Sequence, residues 1–179
     1  RFGGGEKSAC IVGALRGNEI QQLYICSQLV KALKELEAHG AISHNHEILV
    51  IPSVNRFSMN VGKRFWPTDN SDINRAFPGD VNGDTTKQIA GTLFDRIKGY
   101  SYGIHFASFY MPGDFIPHVK MMDTGFQSAS LANLFGLQYV VIRKPKPMDT
   151  VTLNYNWQMN GTNAFSIYTN STDMIDEKS

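Results

Sequence analysis

The sequence has little that would direct it to a membrane, to nucleic acid or to an oxidising compartment. It has only two cysteines, Cys10 and Cys26, both within apolar runs, which indicates buried thiols rather than a disulfide framework. The 17 basic and 16 acidic side chains leave a net charge of +1, too small to favour a nucleic acid or an anionic membrane. No apolar run approaches the roughly 20 residues of a membrane span. We therefore expect a cytoplasmic protein without nucleic acid or membrane as a partner.

Length and composition indicate one globular domain. The chain has 179 residues, of which 42% are hydrophobic and 18% charged, and it is long enough to bury a substantial core. It begins at Arg1 without an initiator methionine and ends in a polar tail. We expect residues 1–179 to form a single domain that is a segment of a longer chain.

Hydrophobic patterning alternates between buried strands and amphipathic helices. Short apolar runs predict strands at 8–15, 47–54, 102–106, 138–142 and 163–168. Apolar residues at helical spacing predict helices at 19–39, 85–100, 125–135 and 153–159. Strands that alternate with helices predict an α/β fold with a mostly parallel or mixed twisted sheet and helices on both faces.

One long segment, residues 55–84, shows little periodicity. Segments of this length in a compact domain are usually functional or disordered, and the aromatic residues here favour packing over disorder. Arg64 and Arg75 could bind a substrate carboxylate, and one of them could polarise a carbonyl. The alternative is that they pair with Asp69, Asp72 or Asp80 and hold the loop in place. Asp72 could itself be a helix cap or an arginine partner.

Glu19 and His105 each follow a predicted strand, where α/β proteins place their functional groups. A carboxylate and a neutral imidazole are two of the three protein ligands that a catalytic zinc site needs. Each residue also has a simpler explanation, because the helix dipole favours Glu at a helix start and a lone His is often structural. These two residues alone do not define a zinc site.

Several short motifs occur in a fixed order between about residue 8 and about residue 176. They are Arg16-Gly17-Asn18-Glu19, Ile51-Pro52-Ser53-Val54-Asn55, Arg64, Asp72-Ile73-Asn74-Arg75-Ala76-Phe77-Pro78-Gly79, Gly103-Ile104-His105 and Pro117-His118-Val119. In order and spacing the motifs resemble those of the succinylglutamate desuccinylase/aspartoacylase family, in the zinc carboxypeptidase clan. The resemblance implies a zinc-carboxypeptidase-like fold. It also implies zinc-dependent hydrolysis of amide bonds in N-acyl amino acids or at peptide C-termini.

The resemblance assigns roles to individual residues. Glu19 and His105 stand at two zinc-ligand positions. Arg64 stands where the family polarises the substrate carbonyl. The substrate-binding pair is Asn74 and Arg75. The general-base position, at the end of Phe165-Ser166-Ile167-Tyr168, holds Tyr168.

Three positions depart from the family pattern, and all concern the metal or the activation of its water. Arg16 stands where the first zinc-binding His is expected, and a guanidinium has no lone pair to offer zinc. Gly103 stands where an Asp would orient a metal ligand. Tyr168 stands where a Glu is expected, and a phenol with an ordinary pKa of about 10 is a poor base at pH 7.

Three functions remain open from the sequence. The first is a zinc hydrolase whose missing ligand comes from another residue, either outside the chain or among His118, His44, His46 and Asp114. The second is a non-catalytic relative in which Arg16 pairs with Glu19, and whose arginine-rich pocket binds a small carboxylate or a peptide end. The third is a structural domain of a larger protein.

Overall fold

The computed structural model describes residues 1–111 and 113–177. In that part of the chain the strands are β1 (Phe2–Gly3), β2 (Glu6–Ala14), β3 (His46–Ser53), β4 (Tyr102–Ala107), β5 (His118–Met122), β6 (Tyr139–Arg143) and β7 (Asn163–Tyr168). The α-helices are α1 (Ile20–Ala38), α2 (Arg56–Asn60), α3 (Thr85–Ile97) and α4 (Leu153–Met159). Short 3-10 turns occur at Ile73–Arg75, Ala129–Phe135 and Pro147–Asp149. None of the helices described is long and apolar enough to cross a membrane.

The described strands form one mixed sheet in the order β1-β3-β2-β4-β7-β5-β6. Its centre is parallel, from β3 through β2 and β4 to β7. Both flanks reverse direction: β1 is antiparallel to β3, and β5 is antiparallel to β7 and parallel to β6. The predicted α/β fold with a mixed sheet is confirmed.

Helices cover both faces of this sheet, as the sequence predicts. Cys10 and Val12 on β2 belong to the same buried cluster as Trp157 of α4. Gly13 faces the other side, because successive residues of a strand alternate between faces. A Cβ added at Gly13 would lie 2.7 Å from the Sγ of Cys26 in α1. The two predicted buried thiols are also buried in the structure.

Two strands and part of one helix differ from the sequence prediction. β1 has two residues, too few to produce a pattern. β5 was missed although apolar Val119 and Met121 alternate with His118 and Lys120, because five residues give a weak periodic signal. The predicted helix at 125–135 is a 3-10 turn that starts at residue 129.

The irregular segment 55–84 is ordered by short helices and caps. Asn55 caps α2 by accepting a hydrogen bond from the Ser58 amide at 3.0 Å. Phe77 is buried in the main core, whereas Phe57 is 53% exposed and contacts Trp66 at 5.9 Å between ring centroids. The aromatic residues therefore pack, as expected, although not all of them enter the core.

Candidate functional site

A cleft of about 580 Å³ opens where the central parallel strands end. We call it the main cleft. Six of the sequence-predicted site positions line it: Arg16, Arg64, Asn74, Arg75, His105 and Tyr168. The parallel strands explain this convergence, because β2, β4 and β7 all present their carboxyl ends at one edge of the sheet. Glu19 is fully buried and contacts this group through Arg16.

The guanidinium of Arg16 bridges two carboxylates. Its Nη1 donates to Glu19 Oε1 at 2.9 Å. Its Nε and Nη2 donate to the two oxygens of Asp72 at 2.9 and 2.8 Å, a bidentate arrangement that fits the planar guanidinium. Arg16 is only 9% exposed. The pairing of Arg16 with Glu19 that the second sequence hypothesis expected is therefore present, and Asp72 is a partner that it did not include.

Both oxygens of Glu19 already have hydrogen-bond donors. Oε2 accepts from the backbone amides of Leu15 and Arg16 at 2.8 and 2.9 Å. Oε1 accepts from Arg16 Nη1, and also from the Ser108 hydroxyl at 2.5 Å. The turn between β2 and α1 therefore wraps around this carboxylate and leaves it no unused oxygen for a further ligand.

The electrostatic surroundings of Arg16 and Asp72 favour the charged form of each side chain. Burial alone would lower the pKa of Arg16, but the charges of Glu19 and Asp72 raise it above its ordinary value. Burial alone would raise the pKa of Asp72, but the hydrogen bonds and charge of Arg16 hold it below its usual range. The Arg16–Asp72 pair thus remains ionised at neutral pH.

Arg64 is placed by close contact between two loops. Gly17 donates its amide to the Arg64 carbonyl at 2.9 Å, and a Cβ at Gly17 would lie 2.1 Å from the carbonyl oxygen of Lys63. Only glycine fits this approach. The Arg64 side chain donates to Asn18 Oδ1 at 2.9 Å. Burial and the neighbouring charge of Arg16 lower the pKa of Arg64.

Asn74 and Arg75 lie on the 3-10 turn that Asp72 caps, with the Asn74 amide 3.0 Å from Asp72 Oδ1. The Asn74 side-chain oxygen accepts from the Leu153 amide at 3.0 Å and so holds the start of α4. Arg75 is exposed and donates to the Met148 carbonyl at 2.9 Å. Asp72 is therefore both a cap and an arginine partner, the two roles that the sequence suggested for it.

The alternative in which Arg64 and Arg75 pair with Asp69, Asp72 or Asp80 does not match the ion pairs of the described residues. Among the described residues, neither Arg64 nor Arg75 forms an ion pair with a carboxylate. Asp72 is taken by Arg16, and Asp69 accepts from the hydroxyl and amide of Thr86 at 2.7 and 2.8 Å. Within residues 1–111 and 113–177, Arg64 and Arg75 are thus cations that form no ion pair with a carboxylate.

His105 is buried, with 2% of its surface exposed, and its Nε2 has no hydrogen-bond partner in the part of the chain that the structure describes. Burial lowers the pKa of His105 to about 4, an effect that Arg16 reinforces and Glu19 opposes. The ring is therefore neutral at pH 7; the residue lines the main cleft, and its Nε2 is buried. Of the two sequence-predicted ligand positions, His105 alone offers a free donor atom.

This buried histidine makes stability depend on pH. An unfolded His titrates near pH 6.5, whereas His105 titrates near pH 4 in the folded state. Between these values the unfolded state binds the extra proton. The contribution of neutral His105 to the free energy of unfolding is therefore complete above about pH 6.5. Below that pH, down to about pH 4, the free energy of unfolding falls by about 1.4 kcal/mol per pH unit. We expect His105→Gln to flatten this slope in urea unfolding measured at pH 7 and pH 5. Equal pH dependence of the two proteins would contradict the assignment.

The arrangement of donor atoms does not fit a zinc ion. No group of three or more His, Cys, Asp or Glu side chains in residues 1–111 and 113–177 is placed to hold a metal. The alternative ligands do not complete such a group. His44 and His46 lie before and at the start of β3, away from the cleft edge, and Asp114 is exposed. His118 lines the cleft, but its ring is stacked on another side chain.

Gly103, where the family pattern has an Asp, faces the indole of Trp157. A Cβ at Gly103 would lie 2.7 Å from a ring carbon of this fully buried side chain. The indole is fixed in turn by a hydrogen bond of 3.2 Å to the Ile97 carbonyl. A carboxylate at position 103 therefore does not fit beside Trp157. This packing explains why the chain has Gly103 where the family pattern has an Asp.

Tyr168 lies in an aromatic wall of the main cleft. The His118 ring stacks on Tyr168 at 4.9 Å with an interplanar angle of 3°, and Phe109 contacts it at 4.8 Å. Burial raises the pKa of Tyr168 above its ordinary value. A phenol with a raised pKa is a still weaker candidate than an ordinary phenol for deprotonating water at neutral pH.

Ser108 and Lys120 are among the residues at the site that were not found from the sequence. Ser108 donates to Glu19, and Lys120 lines the main cleft from β5. Ser108 follows β4 without any motif, so the sequence carries no signal for it. Lys120 could have been found from the polar–apolar alternation of β5, had that strand been recognised.

Comparison with known proteins places these observations in a family. The family model described as the succinylglutamate desuccinylase/aspartoacylase catalytic domain matches residues 6–167. The N-alpha-acetyl-L-2,4-diaminobutyric acid deacetylase of Halomonas elongata is 28% identical over 90 residues, which are 50% of this chain and 24% of that protein.

Solved structures with a similar fold share lower sequence identity. A succinylglutamate desuccinylase/aspartoacylase from Rhodobacter sphaeroides matches with a TM-score of 0.77 and 20% identity, over 98% of this chain and 51% of that one. An aspartoacylase family protein from Mesorhizobium loti gives a TM-score of 0.77 and 22% identity, over 93% and 53%. The chain therefore spans about half the length of these relatives. Since the family model covers most of its residues, the chain belongs to the succinylglutamate desuccinylase/aspartoacylase family, a family of amide-bond hydrolases.

Proposed function

We propose that this domain binds a small carboxylate, such as an N-acyl amino acid or a peptide C-terminus, without zinc and without hydrolysing it. One observation carries the proposal: the Arg16 guanidinium bridges Glu19 and Asp72 at 2.8–2.9 Å. In this reading the guanidinium supplies the positive charge that a metal supplies in zinc-dependent relatives.

Electrostatics support the exclusion of zinc. A unit positive charge 4 Å from another costs about 4 kcal/mol at an effective dielectric of 20, and a dication doubles that repulsion. Glu19 would also have to exchange its existing hydrogen-bond donors for a metal ion. Of the ligand positions implied by the resemblance, only His105 has a side-chain nitrogen, Nε2, without a hydrogen-bond partner among the described residues.

The remaining cations support carboxylate binding. Arg64 and Arg75 line the main cleft and have no acidic partner among the described residues. Arg64 is held by Asn18, so its guanidinium is already oriented. An oriented guanidinium binds a carboxylate with less loss of side-chain freedom than a mobile one.

A second candidate is a zinc-dependent hydrolase that cleaves the amide bond of an N-acyl amino acid. Two observations favour it. The first is the unpaired Nε2 of buried His105 at the cleft wall. The second is a relative whose name describes it as a deacetylase of an N-acetylated amino acid. For this function Arg16 would have to leave Glu19, and a third ligand would have to come from another residue.

Metal content and ligand binding distinguish the two candidates. We would purify the protein without chelator, measure zinc by elemental analysis, and titrate zinc and N-acetylglutamine by calorimetry. The first proposal expects no zinc at micromolar concentrations, together with binding of the carboxylate. Stoichiometric zinc and release of acetate would establish the second candidate instead. If the protein binds neither zinc nor the carboxylate, both candidates are excluded and a structural role is favoured.

A further inference from the structure

The sheet has one long edge without a neighbour in the described part of the chain. Its order begins at β1, which has two residues, and ends at β6, which has five. On one side β6 pairs with β5 in an unbroken parallel register. On its other side no described strand follows. An unpaired strand edge is a template for pairing with another chain.

The surface of β6 is apolar and lacks the usual protection of an edge. Tyr139, Val141 and Ile142 are 47%, 42% and 45% exposed. Natural sheets guard their edges with lysine, proline or a bulge, and β6 has none of these between residues 139 and 143. The run Lys144-Pro145-Lys146-Pro147 follows directly. The chain therefore protects the end of this edge but leaves the five residues of β6 open.

The hydrogen bonds of β6 fix which backbone groups face the open edge. The Arg143 carbonyl accepts from the Asp123 amide, on the β5 side, at 2.9 Å. Successive residues of a strand direct their amide and carbonyl to opposite sides. Val141 therefore points toward β5 like Arg143, whereas Val140 and Ile142 present their amides and carbonyls to the open edge.

A second β6 strand in antiparallel orientation satisfies these groups. A two-fold axis through Val141 sets Val140 opposite Ile142 of the second copy as a hydrogen-bonded pair, and Val141 opposite itself as a non-hydrogen-bonded pair. Because Val141 is the middle residue of β6, this register pairs all five residues. Side chains branched at Cβ then meet across the two strands, a combination that suits a sheet.

The charge of β6 fits the same register. Arg143 is its single charged residue, and an axis through Val141 sets it opposite Tyr139 of the second copy. An arginine can stack on an aromatic ring and keep its hydrogen bonds, here those to Asp149 at 2.6 and 2.7 Å. An axis through Arg143 would instead oppose two cations, which destabilises a strand pair. Charge therefore favours a second copy paired about Val141.

We propose that β6 is an interface between two copies of this chain, which pair antiparallel about a two-fold axis through Val141 and join their sheets into one. Residues 139–142 do not line the main cleft, so the inference is independent of carboxylate binding. A short strand pair lies at the small end of specific interfaces, which bury roughly 1,200 Å² or more when stable. We therefore expect a weak dimer with a dissociation constant in the micromolar range.

Sedimentation velocity over a concentration series tests the dimer, and substitutions at Val141 test its axis. Val141→Glu and Val141→Lys each set two like charges opposite one another. We expect each to weaken the dimer at least about tenfold, which corresponds to about 1.4 kcal/mol. An equimolar mixture of the two should dimerise again, because Glu then faces Lys. Val61→Glu is the matched control and should dimerise normally, since Val61 is 49% exposed at the end of α2, outside the sheet.

Cysteine cross-linking tests the register with a nearly isosteric change. Val141→Cys sets two sulfur atoms opposite each other at a Cα separation of about 4.5 Å, which a disulfide can span. We expect it to cross-link under mild oxidation and Val140→Cys not to, because Val140 faces Ile142. Cys10 and Cys26 are buried and give a low background. Thermal unfolding checks that each variant folds, and Val141→Cys decides the register if a charged variant does not.

The outcomes decide for or against pairing at β6. A dimer of the unmodified protein that is lost in each charged variant and recovered in their mixture establishes it. A protein that stays monomeric throughout the series overturns it. If the amides of Val140 and Ile142 are then protected from hydrogen exchange, another part of the protein covers this edge. A dimer that persists in both charged variants, or a mixture that stays monomeric, also overturns the proposal.

Discussion

Replacing Arg16 by histidine is expected to create a zinc site. The substitution removes the guanidinium from Glu19 and Asp72 and places an imidazole beside Glu19 and His105. Two histidines and one glutamate are the ligand set of several catalytic zinc sites. His105 already presents an unpaired Nε2, and its pKa of about 4 keeps it neutral and able to bind metal at pH 7. We expect Arg16→His to bind one zinc ion per chain at micromolar concentrations or below, measured by elemental analysis and calorimetry.

Two controls show whether this zinc occupies the intended site. Arg16→His combined with His105→Ala removes one of the three ligands and should lose most of the affinity. Arg16→Lys removes the bidentate geometry but adds no ligand, and should bind no zinc. Zinc should also raise the unfolding temperature of Arg16→His, because a ligand at 100 times its Kd stabilises the folded state by about 2.7 kcal/mol. Equal zinc affinity in the unmodified protein and in Arg16→His would contradict the proposed role of Arg16.

Removing the guanidinium without replacing its charge is expected to destabilise the fold strongly. In Arg16→Met, Glu19 stays buried at 0% exposure with its carboxylate unpaired, although Leu15, Ser108 and the backbone of residue 16 still donate to it. Breaking a buried ion pair by removing one partner costs about 3–5 kcal/mol. We expect a loss of this order in the free energy of unfolding, measured by urea denaturation at pH 7.

An exposed ion pair supplies the comparison. Arg1 pairs with Glu47 at 3.2 Å, and its side chain is 59% exposed. Arg1→Met should change the free energy of unfolding by at most about 1 kcal/mol, as exposed pairs do. If Arg16→Met were no more costly than Arg1→Met, the bridge between Glu19 and Asp72 would not be a substantial part of the fold's stability.

Local patterns in the sequence were enough for the fold class and for much of the site. The strands at the centre of the sheet and the helices α1, α3 and α4 were predicted with small errors at their ends. Because the central strands are parallel, residues at their carboxyl ends had to converge. Most of the motifs that pointed to the family lie at those ends or in the loop that follows β3, and Pro117-His118-Val119 lies at the start of β5.

Only the tertiary structure decided how the charged residues pair. Arg16 and Asp72 are 56 residues apart, and no local pattern tells which of several aspartates an arginine will meet. The direction and position of β5 were likewise fixed by pairing with β7 and β6 rather than by its five residues. The sequence therefore determined where the functional residues would gather, since burial and periodicity are local signals. The fold determined that Arg16 is committed to two carboxylates while Arg64, Arg75 and Lys120 are not, since those pairings depend on contacts between distant segments.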